Sequence, residues 1–241
     1  MKFIRFILLL IMVSPVLVSC GDDDGELSSA YVDSITTDYL RANRFGIFSM
    51  SLDLFEKAGY LDLLDQKGVT VFMPTNYSIK HYMKQKEYML HQETGNETLT
   101  YTYDDLVKDL PLFKDSLKMY IVEQQVNRSD LEKMSGEAVT LKCMLGCDMN
   151  ISLKKTKLYT ENVPNSVNKY LYYTFIINGL DESSNVPLQD KDVSNYCQTS
   201  GLITKTGILH VLRDEHPLFF NRYEYQFEEN ETLYRECTQF C

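Results

Sequence analysis

The clearest pattern along the chain is a short apolar run, Val69–Met73, made mostly of β-branched and aromatic residues. Gly68 and Pro74 bound this run. It therefore predicts a buried strand, which ends where proline has no N–H to give to the ladder. The side-chain oxygens of Thr75 and Asn76 are predicted to cap the free N–H groups of a helix that begins at residue 77. The pattern thus predicts a buried strand that turns directly into a capped helix.

Apolar residues at helical spacing occur on both sides of this strand. They predict helices over residues 31–40 and 45–58 before the strand, and over residues 77–92 and 111–122 after it. The methionine and aromatic positions of these helices are predicted to lie in the core. A capping-box motif at residues 129–132 predicts one more short helical turn.

The second half of the chain changes to strand patterns. Residues 139–143 and 147–151 flank a three-residue loop with Gly146 at its third place, which predicts a β-hairpin with a bulged turn. The polar stretch 178–197 predicts a loop. Further strands are predicted at residues 170–177, 202–204 and 208–212. Helices followed by strands predict the α+β fold class.

Two stretches resemble the signatures of the fasciclin (FAS1) domain. Residues 70–76 are similar to the opening signature of the family, with Met73 in the place of an alanine. Residues 206–213 are similar to the closing signature, although Thr206 and Arg213 depart from the usual Asn and Asp. The matching positions are Thr70, Val71, Phe72, Pro74, Thr75, Asn76, Gly207, His210 and Val211.

This resemblance implies an architecture and domain limits. It implies a small β-sandwich or wedge of sheets with helices packed against one edge, spanning residues 31–218. Residues 219–241 form a C-terminal extension that the signatures do not explain. Adhesive members of the family often carry a Tyr-His pair in the middle of the domain, whereas this chain has Tyr120 followed by isoleucine. The animal cell-adhesion mode is therefore not expected.

The start of the chain has the features of an export and anchoring signal. Lys2 and Arg5 precede an apolar stretch too short to span a membrane as a folded helix, which predicts a signal peptide over residues 1–19. The residues that end at Cys20 resemble a bacterial lipobox. This resemblance implies cleavage before Cys20 and acylation of its thiol and amine by fatty acids such as palmitate. An ordinary signal peptide with a chance cysteine is the alternative.

Three acidic residues, Asp22, Asp23 and Asp24, follow Cys20 almost directly. They resemble the export tag of Bacteroidetes-type lipoproteins, which implies a position on the outer face of the outer membrane. The same residues also suit a solvated linker over residues 20–30, because acidic residues beside glycine stay extended. The two interpretations are compatible.

Charge and cysteine content limit the possible partners. The 241 residues carry a formal net charge of −10, so no basic surface is expected to bind nucleic acid. Export to an oxidising compartment favours disulfides over zinc binding by the cysteines. Cys143 and Cys147 flank the predicted hairpin loop and are candidates for a disulfide across it.

Candidate chemistry is limited to a few side chains. No motif of catalytic or metal-ligating spacing is present, and His210 is predicted to be a packed, hydrogen-bonded residue. No cofactor is expected. The chain has no tryptophan and 17 tyrosines, so a sugar-stacking surface would have to use tyrosine or phenylalanine. The candidate ligand contacts are Tyr170, Tyr172, Tyr223 and Tyr225, and half-buried core packing is the alternative for each.

Together these features predict a non-enzymatic binding or adhesion module, anchored to the outer membrane and facing outside the cell. The expected partners are the membrane, through the lipid anchor, and an extracellular glycan, a matrix or the proteins of an outer-membrane nutrient importer. Two polar or aromatic additions to the domain, residues 93–103 and 219–241, offer surface for such a partner. An extracellular hydrolase acting on a polymer is the alternative. A cleft with two carboxylates or a Ser-His pair would favour the hydrolase.

Overall fold

The structure is a computed structural model that describes residues 30–155, 169–181 and 190–221. The chain divides into two units, Met1–Ala30 and Tyr31–Cys241, and the fold described here is that of the second unit. Several predicted features lie outside the described residues. They are the signal peptide, Cys20, Asp22, Asp23, Asp24, Tyr223, Tyr225 and the part of the C-terminal extension after Asn221.

Helices occupy mainly the first half of the described chain. The α-helices are α1 (Thr36–Arg41), α2 (Ser49–Ala58), α3 (Asn76–Thr94), α4 (Tyr103–Phe113) and α5 (Arg128–Leu131). Four 3₁₀ turns are described, at Leu61–Asp65, Lys114–Tyr120, Ser135–Glu137 and Leu218–Phe220. Glycine ends two of the helices, because Gly59 and Gly95 adopt the left-handed conformation after α2 and α3.

Most of the strands follow the helices, in agreement with the predicted α+β class. They are β1 (Val69–Met73), β2 (Ile121–Val122), β3 (Ala138–Lys142), β4 (Asp148–Lys155), β5 (Lys169–Phe175), β6 (Val193–Ile203) and β7 (Gly207–Leu212). In the described residues they form one seven-stranded mixed sheet in the order β2-β1-β7-β6-β5-β4-β3. The pair β1·β7 is parallel, and the other pairs are antiparallel.

The two ends of this sheet meet, so that the sheet forms a nearly closed wedge. Val122 at the end of β2 forms a bridge with Cys143, just after β3. The Met144 N–H donates to the Ile121 carbonyl at 2.8 Å beside this bridge. The first and last strands of the sheet order are therefore joined at one point.

The two signature segments lie side by side as the parallel strands β1 and β7. Their register runs from Val69 opposite Gly207 to Met73 opposite Val211, and it places Phe72 opposite His210. A methyl group on Gly207 would lie 2.2 Å from the Val69 carbonyl oxygen. Only glycine can occupy this position without moving one strand away from the other.

The predicted capping of the helix after β1 is wrong in its side-chain contacts. Thr75 lies at the N-cap position of α3, but its hydroxyl donates to an Asp214 carboxylate oxygen at 2.8 Å. The Asn76 side chain accepts from the Met50 N–H at 2.9 Å and donates to the Gly46 carbonyl at 2.9 Å. Asn76 therefore caps the start of the neighbouring helix α2. These polar side chains join separate segments instead of closing their own helix.

The predicted core helix over residues 111–122 is also wrong. Helix α4 continues through Pro111 to Phe113, a 3₁₀ turn follows, and β2 contains the last two residues of the range. Leu112 lies in α4, off the face that buries Leu106 and Leu110, and is 86 % exposed. A 3₁₀ turn has three residues per turn, so the buried residues after α4, Leu117 and Ile121, do not continue one α-helical face.

Three further boundaries differ from the sequence predictions. The predicted helix over residues 31–40 begins only at Thr36, because Tyr31 pairs with Ile203 in a parallel bridge. The short helix α5 is capped by Asn127, whose side chain accepts from the Ser129 N–H at 3.4 Å, so Ser129 is not the cap. The predicted loop over residues 178–197 contains the first part of β6.

The core between the strands is built around stacked aromatic rings. Phe72 of β1 and Tyr173 of β5 are both fully buried and lie parallel, with ring centroids 3.7 Å apart. The His210 ring stacks on Phe72 at 4.9 Å. The Tyr173 hydroxyl donates to the Met119 carbonyl at 2.5 Å, which satisfies its only buried polar atom. This stack connects β1, β5 and β7 across the wedge.

The contact between Gly207 and Val69 gives a direct test of the strand pairing. We expect Gly207→Ala to lower the free energy of unfolding by about 3 kcal/mol, because the new methyl group must displace a backbone carbonyl. Gly136→Ala is the matched control, since that residue has a positive φ of 81° but open space around it. Its cost should be about 1 kcal/mol. Urea unfolding of both variants measures the difference, and equal costs would contradict the close approach of β1 and β7.

Candidate functional site

The outer face of β5 presents two of the predicted ligand contacts. Successive side chains of a strand point to opposite faces. Leu171 and Tyr173 point to the core and are fully buried. Tyr170 and Tyr172 lie on the other face and are partly exposed. The structure therefore places these two predicted residues on one surface.

The strand register brings further side chains to this face. Tyr172 pairs with Tyr196 of β6 on one side and with Ser152 of β4 on the other, while Tyr170 pairs with Lys154. The Tyr170 and Tyr196 rings meet edge to face at 5.3 Å, and the Tyr172 and Tyr196 rings do so at 6.1 Å. We refer to Tyr170, Tyr172 and Tyr196 as the tyrosine platform.

Two cations lie over the tyrosine platform. The Lys154 ammonium is 5.4 Å from the Tyr172 ring centroid, and the Arg213 guanidinium is 5.5 Å from that of Tyr196. Neither Lys154 nor Arg213 forms an ion pair with a carboxylate of the described residues, whereas cations such as Lys57 and Lys169 do. The Arg213 Nε is moreover buried without a hydrogen-bond partner there. The platform thus combines apolar ring surface with positive charge that is not paired with any carboxylate of the described chain.

Small polar side chains continue the same face beside the tyrosine platform. Thr174 of β5 and Ser194 of β6 share a hydrogen bond of 2.8 Å, and the Asn150 amide donates to Thr140 at 3.2 Å. The Ser152 hydroxyl, next to Tyr172 in the register, is buried and has no hydrogen-bond partner in the described part of the chain. A buried hydroxyl without a partner is costly unless a ligand or water satisfies it.

Sequence reasoning found part of this site and missed the rest. Tyr170 and Tyr172 were predicted, but Tyr196, Lys154 and Arg213 were not. Tyr196 falls within the stretch predicted as a loop. Residues 193–197 do carry a weak strand signal. Val193, Asn195 and Cys197 are the buried residues there, and they alternate with the residues between them. Arg213 could not have been found, because its position depends on the fold of β6 and β7.

His210 is a packed residue of the core and takes no part in this surface. Its Nδ1 accepts the Gly201 N–H at 3.0 Å, and its Nε2 therefore carries the proton that is donated to the Val126 carbonyl at 3.0 Å. Burial lowers the pKa of His210 to about 4. Because its pKa is lower in the folded protein than in the unfolded chain, this histidine stabilises the fold fully above about pH 6.5. That contribution is lost as the pH falls toward 4.

A Tyr-His contact does exist in the chain, but it joins residues far apart in sequence. The Tyr120 hydroxyl lies 2.9 Å from the Nε2 of His216 and accepts the Phe219 N–H at 2.7 Å. Burial and the nearby charge of Arg213 lower the pKa of His216 to about 3, so its neutral ring accepts the tyrosine proton. Both side chains are fully buried. The pair therefore fixes the segment after β7 on the domain and presents no adhesive surface.

A second aromatic surface lies at the start of α2 and α3. Phe45 is 71 % exposed and Tyr77 is 56 % exposed, and the Asn76 hydrogen bonds hold their segments together. Arg44 lies 4.5 Å over the Phe45 ring and Lys80 lies 5.8 Å over the Tyr77 ring. We call these four residues the Phe45–Tyr77 patch.

The described residues offer neither a metal-binding cluster nor a membrane-spanning helix. They contain no group of three or more histidine, cysteine or acidic side chains arranged to hold a metal ion. The helices of these residues include none that combines the length and the apolar character needed to cross a bilayer. Among the described residues, no disulfide joins Cys143, Cys147 and Cys197 to one another.

The fold and this surface define a small α+β domain with an aromatic, positively charged face. The model of the fasciclin domain family matches residues 46–182, which is more than half of the chain. The chain therefore belongs to the fasciclin domain family. Within the platform, Tyr170 and Tyr172 lie inside the matched range, and Tyr196 lies outside it.

A solved structure of the same family is similar to the chain. It is the FAS1 domain pair of the insect cell adhesion molecule fasciclin I, with a TM-score of 0.40 and 8% sequence identity. The match covers 71% of this chain and 44% of that one, so the chain spans less than half of that structure's length. The search of curated proteins found no match.

Proposed function

We propose that the protein is a non-enzymatic binding module whose ligand contact is the tyrosine platform, and that the ligand is an acidic glycan of the extracellular surroundings. The observation that carries this proposal is the pair of cations, Lys154 and Arg213, that lie over tyrosine rings without a carboxylate partner in the described chain. On a protein of net charge −10, such a local positive surface selects for anionic groups.

The chemistry of the face suits a sugar polymer. Tyrosine rings offer apolar surface with a polar tip, which matches the mixed apolar and hydroxyl character of a pyranose ring. Lys154 and Arg213 would pair with the carboxylates of uronic acid units, and Arg213 could do so with two parallel hydrogen bonds.

The contacts of the histidines support binding rather than hydrolysis. His210 bonds two backbone groups, His216 bonds Tyr120, and the Nε2 of His91 lies 2.5 Å from the Leu99 carbonyl. None of these three is paired with a serine hydroxyl. The hydrolase alternative would require such a pair, or two carboxylates set across a cleft.

We further propose that the domain is held at the outer membrane by acylated Cys20 and acts there as an accessory of a nutrient importer. The lipobox-like sequence and the three aspartates after Cys20 support this location. A lipid anchor would hold the domain near barrel proteins at high local concentration, so that even a weak contact would be occupied. Glycan binding at the platform would then supply the importer with its polymer.

The platform cations provide the test of ligand binding. We expect the double variant Lys154→Gln and Arg213→Gln to bind polygalacturonate at least about tenfold more weakly than the wild type, as measured by titration calorimetry. Arg44→Gln with Lys80→Gln is the matched control, because it removes two cations of the Phe45–Tyr77 patch. The control should stay within about twofold of the wild type.

Other outcomes of this titration would contradict the proposal. An equal loss of affinity in both double variants would mean that polygalacturonate binding depends only on the overall charge of the protein. If the wild type bound the neutral polymer dextran as tightly as polygalacturonate, the two cations would have no role in binding. Thermal unfolding of each variant checks that the domain remains folded.

Anchoring and partnership are tested together on a tagged chain. We expect the wild type to enter the detergent phase of outer membranes and to co-purify with barrel components of an importer. Cys20→Ala should leave an unprocessed or released chain, because the acylated thiol is absent. Normal partitioning of Cys20→Ala would contradict the lipid anchor. Purification of the wild type without any importer component would contradict the partnership.

A further inference from the structure

The turn between β3 and β4 brings two cysteines into contact. Lys142 and Asp148 are the last paired residues of the hairpin, so Cys143 and Cys147 are the next opposite positions. The Cys143 N–H donates to the Cys147 carbonyl at 3.0 Å, and the Gly146 N–H donates to the Cys143 carbonyl at 2.8 Å. Opposite residues of antiparallel strands have Cα atoms about 4.5–5.5 Å apart, within the range that a disulfide requires.

The surroundings of the two thiols favour a thiolate on Cys143. A hydrogen bond from Cys147 lowers the pKa of Cys143 to about 7, although burial acts in the opposite direction. The backbone N–H groups of Leu145, Gly146 and Cys147 lower the pKa of Cys143 further. The Lys142 ammonium is held at this turn by the Gly146 carbonyl oxygen at 3.2 Å and by the Asp148 carboxylate at 2.9 Å. Hydrogen-bond donors around a thiol are a feature of reactive cysteines.

The two thiols differ in access to solvent. Cys143 is only 3 % exposed, whereas Cys147 is partly exposed. An external molecule can therefore reach the sulfur of Cys147 first, and Cys143 is placed behind it. The third described cysteine, Cys197, is 3 % exposed, as Cys143 is, and burial raises its pKa. Cys197 thus lacks the solvent access of Cys147 and the raised acidity of Cys143.

We propose that Cys143 and Cys147 form a thiol–disulfide exchange site that accepts small disulfides such as oxidised glutathione. Cys147 loses its proton to solvent, and its thiolate attacks one sulfur of the small disulfide. The S–S bond breaks, one small thiolate leaves, and a mixed disulfide forms on Cys147. Cys143 also loses its proton to solvent, and its thiolate attacks the Cys147 sulfur, so that the mixed S–S bond breaks and the second small thiolate leaves.

The electrons balance in this sequence of steps. Two protein thiols are oxidised to one intramolecular disulfide, and the small disulfide is reduced to two thiols that take up the two released protons. The sequence suggested only that these cysteines could bridge. The structure adds the order of attack, with Cys147 as the entry thiol and Cys143 as the resolving thiol. This inference is independent of the proposed glycan ligand.

The bond would lie where the sheet closes on itself. Cys143 forms the bridge with Val122, and its neighbour Met144 bonds Ile121. A disulfide between Cys143 and Cys147 would fix the turn that supplies both of these contacts. Oxidation would therefore tighten the junction between β2 and β3.

Peptide mass mapping of the full chain tests the exchange site. The reduced protein is treated with oxidised glutathione at pH 7 and sampled over time. We expect a bond between Cys143 and Cys147 in the wild type and in the control Cys197→Ser. Cys143→Ser should instead accumulate glutathione on Cys147, because the resolving thiol is absent. In Cys147→Ser, Cys143 should acquire glutathione at least about tenfold more slowly than Cys147 does in Cys143→Ser.

Two results would overturn the proposal. One is equal glutathione uptake by Cys143 and Cys147 in the two single variants. The other is a wild-type bond from either cysteine to Cys197, Cys237 or Cys241 in place of the hairpin bond. Iodoacetamide labelling of the reduced wild type needs no variant. It should modify Cys147 before Cys143 and should leave Cys197 unmodified.

Discussion

The parallel contact between β1 and β7 is the constraint on which the rest of the domain depends. Gly207 lets the two backbones approach, and the side chains of both strands then fix a third segment. The Thr70 hydroxyl donates to the Gln124 carbonyl at 2.6 Å and accepts the Val126 N–H at 2.9 Å. His210 donates to the carbonyl of the same Val126. The polar residues of the two signatures therefore hold the segment that leaves β2, and buried groups that would otherwise be unsatisfied are paired.

The features at the surface follow from this arrangement. Because β2 is fixed beside β1, its end can meet the turn after β3, which closes the wedge and places Cys143 at the junction. Because β7 lies between β1 and β6, the chain after β7 brings Arg213 over Tyr196. The Asp expected at the end of the closing signature is replaced by Arg213, and the next residue, Asp214, accepts the Thr75 hydroxyl. Arg213, in the place of the expected Asp, thus supplies a cation to the tyrosine platform. The Asp214 carboxylate still links the two signature segments through its hydrogen bond with Thr75.

Much of the fold could be predicted from local pattern, whereas contacts between distant segments could not. The strand Val69–Met73 and the hairpin around Gly146 carry strong local signals, and both are confirmed. Asn76 looked like a cap for its own helix, but tertiary structure assigns it to α2. The helix predicted over residues 111–122 assumed one helical period, but α4 ends at Phe113 and a 3₁₀ turn follows it. Within the tyrosine platform, Tyr170 and Tyr172 of β5 could be predicted because they alternate with core residues along the strand. Tyr196 could not, because its place beside them depends on the order of strands in the sheet.

The protonation of His210 tests the central contact most directly, because the ring lies between β7, β6 and the segment after β2. Nitrogen NMR of the labelled imidazole reports which ring nitrogen carries the proton and at what pH the ring titrates. The structure predicts the Nε2–H tautomer, with Nδ1 accepting the Gly201 N–H, and a neutral ring from pH 7 down to about pH 5. A proton on Nδ1, or titration near the ordinary histidine pKa of about 6.5, would contradict the account.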